Sequence, residues 1–144
     1  MATYVKYEAF IEHLANKIID AFGSTDTWKA VIHTDAPVAA SDATLSDLTQ
    51  IGGSNGYTTG GENISFNSSR SGGTVTATAT DVVWTASGGN LGSSTTGRYV
   101  SIYDDTPTSP ADPLACSYDY GSTVTVATGE TFTLDFGASW FTLA

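Results

Sequence analysis

With 144 residues, 40% of them apolar and only 14% charged, the chain has the mass for one domain around one hydrophobic core. Fifteen acidic residues against five basic ones give a formal charge of −10 with no Lys/Arg cluster, which argues against nucleic-acid binding. No run of about 18 apolar residues suggests a membrane span, and Lys6, Glu8, Glu12 and Lys17 interrupt what would be a secretion-signal core.

Threonine, serine and glycine replace the missing charges, a balance that favours pleated strands and tight turns. The first predicted element is a helix over residues 3–22. Tyr7, Ile11, Leu14, Ile18 and Phe22 recur at helical spacing, Phe10 and Ile19 widen the stripe, and Glu8, Glu12, Asn16 and Asp20 lie opposite. Thr3 is the expected N-cap, and Gly23 stands where a left-handed C-terminal residue belongs. This stripe is expected to be buried, on the β-body or between subunits.

Beyond Gly23 the period changes to alternation. Trp28, Ala30 and Ile32 point one way and Lys29, Val31 and His33 the other, which predicts a strand over 28–34. Residues 44–51 predict a short helical turn, in which Thr44 and Asp47 form a capping pair and Leu45, Leu48 and Ile51 anchor it. The 52–61 stretch is glycine-rich, and Asn55-Gly56 predicts a tight turn. Further strands are predicted at 64–67, 74–80, 82–85, 99–103, 114–118, 124–127, 131–136 and 140–143. The pattern is mainly β: an antiparallel β-sandwich or small barrel with one N-terminal amphipathic α-helix. No repeat or linker divides the chain, so 1–144 is taken as a single domain, a helix over 1–23 and a β-rich body over 24–144.

Residues able to do chemistry are sparse. His13 and His33 lack any HxxxH, CxxC or Glu-x-x-His spacing and are expected to be surface or edge histidines. Cys116 alternates with Leu114 and Tyr118, which places it in the core as a small hydrophobe; a lone cysteine fits folding in a reducing cytoplasm. Asp104, Asp105 and Asp112 sit among Pro107, Pro110 and Pro113, where they are expected to form turns without a metal. Calcium is the alternative, although the spacing matches no EF-hand loop. Trp28, Trp84 and Trp140 lie in strand-like runs and are expected in the core, with carbohydrate stacking as the alternative. No catalytic residue, cofactor or metal is expected.

Several segments together resemble a family of tailed-bacteriophage virion structural proteins. They are Asn55-Gly56-Tyr57-Thr58-Thr59-Gly60-Gly61, Arg98-Tyr99 leading to Ile102-Tyr103-Asp104-Asp105-Thr106, Asp119-Tyr120-Gly121, and Gly129-Glu130-Thr131-Phe132-Thr133. The opening helix and strand 28–34 also fit, while Thr59 and Cys116 depart from the pattern in ways that affect packing. The resemblance implies a β-rich, non-enzymatic virion component. Its expected role is a capsid decoration (cement) protein, assembled in the host cytoplasm and bound to the major capsid protein on the capsid exterior as a homo-oligomer, a trimer. The alternative is a tail fibre or tip component that recognises a host receptor or glycan. A secreted carbohydrate-binding enzyme module is disfavoured by the single cysteine and the interrupted leader. The residues expected at the partner interface are Tyr7, Ile11, Leu14 and Ile18 on the helix, with Asn55 and Tyr57 in the glycine-rich turn.

Overall fold

The computed structural model describes residues 2–21, 25–93 and 97–144. In chain order they form β1 (Thr3–Lys6), α1 (Glu8–Ala15), β2 (Trp28–His33), a 3-10 turn at Leu45–Asp47, β3 (Glu62–Ile64) and β4 (Phe66–Ser71). Then follow β5 (Thr74–Ala79), β6 (Val82–Thr85), β7 (Gly97–Asp104), β8 (Leu114–Val124), β9 (Thr131–Leu134) and β10 (Phe141–Leu143). The fold is mainly β with one helix, as expected, and its strands pair antiparallel. Among the described residues there is a five-stranded sheet in the order β1-β8-β7-β2-β3, a three-stranded sheet β10-β5-β4, and a pair β6-β9.

The alternation along β2 explains how these sheets layer. Trp28, Ala30 and Ile32 share the inner face with Val100, Ile102 and Cys116, and pack there on Phe66, Ala77, Trp84 and Leu134 from the smaller sheets and on Phe136 and Trp140 between β9 and β10. The outer face carries Val31, Tyr103 and Leu114, closed over by Tyr7, Leu45 and Leu48. The central strands β2 and β7 are therefore covered on both faces and buried along almost their whole length.

The helix is shorter than its spacing predicts. Residues 3–6 pair with β8 from Thr3 opposite Asp119 to Lys6 opposite Cys116. The β-branched and aromatic run Thr3-Tyr4-Val5 finds a free strand edge there, and long-range pairing outweighs the helical period. Tyr7, not Thr3, is the N-cap, and Glu8 N–H donates to the Ala39 carbonyl in place of a side-chain cap. The helix ends in a Schellman motif: Ile18 N–H donates to His13 O at 2.9 Å and Lys17 N–H to Leu14 O at 3.2 Å, with Lys17 left-handed at φ 57°. The buried helix face is Phe10 and His13, whereas Ile11 of the predicted stripe is 45% exposed. The predicted end of the stripe at Phe22 and its cap at Gly23 lie outside the described residues.

Three strand expectations also change. The 64–67 segment divides at Ser65: Ile64 closes the main sheet through β3 and Phe66 opens β4 in another sheet. The 114–118 strand continues to Val124 because β7 supplies a partner as far as Gly97, so no separate strand occupies 124–127. Residues 68–71 form strand although they are polar and exposed; they are held by β5 through a two-residue Gly72-Gly73 turn with both φ positive. The Thr44–Asp47 capping box is present, as is the 55–56 turn, with Asn55 at φ 53° and Gly56 at φ 95°.

Gly61 shows how tightly the glycine-rich segment lies on β2. It has φ 75°, and a Cβ there would overlap the Ala30 carbonyl and crowd Val31 Cγ1. Gly61→Ala is expected to cost about 2–4 kcal/mol in urea unfolding, from left-handed strain plus that overlap. A midpoint within error of wild type would show that the segment can lift off β2.

Candidate functional site

The outer face of the main sheet holds a polar cluster. The β2–β7 register sets Val31 opposite Ser101 and His33 opposite Tyr99, and the β7–β8 register sets Ser101 opposite Ser117. Tyr7, fixed by its N–H to the Ala115 carbonyl at 3.1 Å, lowers its ring onto the same face. His33 Nε2 lies 2.8 Å from Ser101 Oγ, and Tyr7 OH lies 2.9 Å from the same oxygen. His33 Nδ1 stands 3.5 Å from Asp35 Oδ1, which accepts the Thr49 N–H at 2.7 Å. The His33 ring also stacks on Tyr99, with centroids 5.4 Å apart.

Aspartate, histidine and serine in this order have the connectivity of an acyl-transfer triad. Accessibility separates them from one. Ser101, His33 and Tyr7 are each 0% exposed, and Ser101 Oγ is engaged by two partners. The 3.5 Å gap to Asp35 is longer than a normal hydrogen bond. Burial pushes His33 below its ordinary value, against the opposing pull of Asp35, which disfavours the charged ring. Burial likewise pushes the Tyr7 phenol up to about 12, partly offset by hydrogen bonds to Ser101 and Ser117. The cluster's chemical capacity is to pin two strands and the entry to the helix with neutral hydrogen bonds.

His33 was expected at the surface and is buried. Its strand lies inside the sheet, and the segment after Asp35 folds across the outer face, a cover that alternation along one strand does not reveal. His13 is also buried, on the inward side of the helix. The available signal was Ser101 and Ser117, small polar residues within otherwise apolar runs.

The acidic group is likewise rearranged. Asp105 stays exposed and pairs with Lys29 Nζ at 2.8 Å. Asp104 has the expected turn-forming contact, its Oδ1 accepting the Thr106 N–H at 3.0 Å, yet it is 0% exposed. Burial, and then the neighbouring Asp26 carboxyl, push it up to about 7. Burial and Asp105 also raise Asp112. Among the described residues, no group of three or more His, Cys, Asp or Glu side chains is arranged to hold a metal. Cys116 lies in the core as expected, its thiol pushed up to about 12 by burial, and its Sγ accepts the Trp140 Nε1–H at 3.2 Å. Trp28, Trp84 and Trp140 are all buried, which leaves none of these rings free to stack on a sugar.

The six residues expected at a partner interface divide. Tyr7 and Tyr57 are interior; the Tyr57 hydroxyl accepts the Ile32 N–H at 3.1 Å, so both tyrosines organise the chain itself. Asn55 is half-buried and donates from Nδ2 to the Asn90 carbonyl at 3.0 Å. Ile11 is exposed, and Leu14 and Ile18 are half-buried. Leu14 joins Lys17, Ile19, Asp20, Ala21 and Leu143 around an open groove of about 530 Å³ beside β10. Comparison of the chain with protein-family models, with curated proteins and with solved structures finds no match.

Proposed function

We propose that this chain is a non-enzymatic structural protein of a tailed-bacteriophage virion, a capsid decoration (cement) protein built as a β-sandwich. It docks on the major capsid protein at the exterior of the head. The observation that carries this reading is the closure of the Asp35–His33–Ser101 array: the side chains best suited to chemistry are spent inside the fold as strand-to-strand ties. The segments behind the virion resemblance are used in the same way. Arg98 grips Asp119 bidentately at 2.7 and 2.8 Å, and Asp119 Oδ1 also accepts the Gly121 N–H. The 55–61 turn is tied to the main sheet where Tyr103 OH donates to the Gly60 carbonyl at 2.8 Å.

A protein that makes no bond acts through binding energy. Copies arranged as a closed trimer repeat a weak contact at high effective concentration, so modest single contacts add to firm attachment. The −10 charge favours encounter with a basic surface and makes attachment weaken with salt. Exposed Ile11 and the Leu14–Leu143 groove supply apolar area for such a contact.

The test is to prepare virions lacking the protein, heat them and measure DNA release. Earlier release, restored by adding the purified chain, is the expected result. Particles that retain their DNA yet fail to adsorb to cells would replace this reading with the tail fibre or tip.

A further inference from the structure

Asp104 is buried at the end of β7, directly across the sheet from Trp28. Its Oδ1 is satisfied by Thr106 N–H, but its Oδ2 is buried and has no hydrogen-bond partner. A buried carboxylate oxygen without a donor is costly unless a proton or a cation compensates it. The group set against Asp104 is a second carboxylate, Asp26, which is half-buried and within reach of solvent.

The surroundings are built from oxygen. Asp26 Oδ2 accepts the Asp20 N–H at 2.7 Å, and Thr25 Oγ1 lies 3.4 Å from Asp26 Oδ1. Two ties fix the 25–27 segment to the end of β7: Thr27 N–H donates to Thr106 Oγ1 at 2.7 Å, and Asp105 N–H donates to the Thr27 carbonyl at 2.8 Å. The two carboxylates are therefore held together by backbone on both sides. The charged groups nearby are Asp20 and Asp26 from the segment before β2, Lys29 on β2, and Asp105 and Asp112 after β7. Lys29, the nearby cation, is engaged by Asp105.

We infer that Asp26 and Asp104 form a site for one hard divalent cation of the calcium class. Carboxylate oxygens suit such an ion, and water at the half-buried Asp26 side completes its shell. A shared proton is the competitor.

The probe is calcium alone, added to the metal-free full chain at about pH 8. The melting temperature should rise by on the order of 10 °C when calcium exceeds its dissociation constant a hundredfold, and a chelator should reverse the rise. Asp104→Asn should abolish this response, whereas Asp105→Asn, altering the exposed neighbour, should keep it. Terbium supplies an independent readout. Its luminescence should be sensitised by Trp28, displaced by calcium and lost in Asp104→Asn, while Trp28→Phe should lose the luminescence and keep the calcium response. An unchanged wild-type melting temperature at millimolar calcium, or a response retained in Asp104→Asn, overturns the inference.

Discussion

Replacing Trp140 by alanine is expected to lower the unfolding free energy by about 3–5 kcal/mol, the range for removing a buried tryptophan. This side chain joins the layers. Its ring stacks on Phe66 of β4 at 4.4 Å, meets Trp28 of β2 edge-on at 5.3 Å, and lies 6.2 Å from Phe10 of α1. Its Nε1–H reaches Cys116 Sγ in β8. Truncation thus opens a cavity where the two larger sheets and the helix converge. Urea unfolding should show a lower midpoint with an unchanged slope. Trp140→Phe keeps a ring and loses the donor to sulfur, so its cost should be smaller, about 1–2 kcal/mol. A loss below about 1 kcal/mol for alanine would mean that the sheets are clamped elsewhere.

Asp104→Asn in chelated buffer is expected to change how stability depends on pH. The folded carboxyl is raised from 3.8 to about 7, so the folded chain keeps a proton that the unfolded chain releases. Stability from this group is full below about pH 4 and is lost as pH rises through about 7. At pH 8 the loss is on the order of 2–4 kcal/mol, and the asparagine variant escapes it. The variant should therefore melt higher than wild type at pH 8 and close to it at pH 4. His33 works in the opposite direction. Its folded value lies below its ordinary 6.5, so its contribution is full above 6.5 and is lost as pH falls below it. The two contributions therefore oppose each other below about pH 6.5, and removing the Asp104 contribution should leave the acid-side loss from His33 more visible in Asp104→Asn. Parallel wild-type and variant melting curves from pH 4 to pH 8 would refute the buried-carboxyl account.

Features governed by neighbouring residues were legible in the sequence. Alternation marked β5, β6 and β9, because one face of each packs on the core, and it marked β2, whose two faces enter two different buried clusters. Local chemistry specified the Thr44–Asp47 box and the Asn55-Gly56 turn, since capping and left-handed backbone depend on residues a few positions apart. Cys116 and the three tryptophans were placed inside by their apolar neighbours, and inside they lie.

Long-range pairing and covering decided the rest. Residues 3–6 carry a helical period, yet they become strand because β8 offers an open edge; no signal within Thr3–Lys6 announces that edge. Ile64 and Phe66 read as one strand and belong to two sheets, because each finds a different partner. His33 was read as a surface or edge residue, and Tyr7 as part of a stripe buried on the β-body or between subunits. They are interior because residues 35–51 close a second face of the main sheet. Asp104 was read as a turn former, and its enclosure beside Asp26 exists only because the segment before β2 is tied across the end of β7. Local preference already set which residues favour strand, turn and interior. Which polar groups were enclosed with them followed from long-range packing, because enclosure depends on what another part of the chain lays over a face.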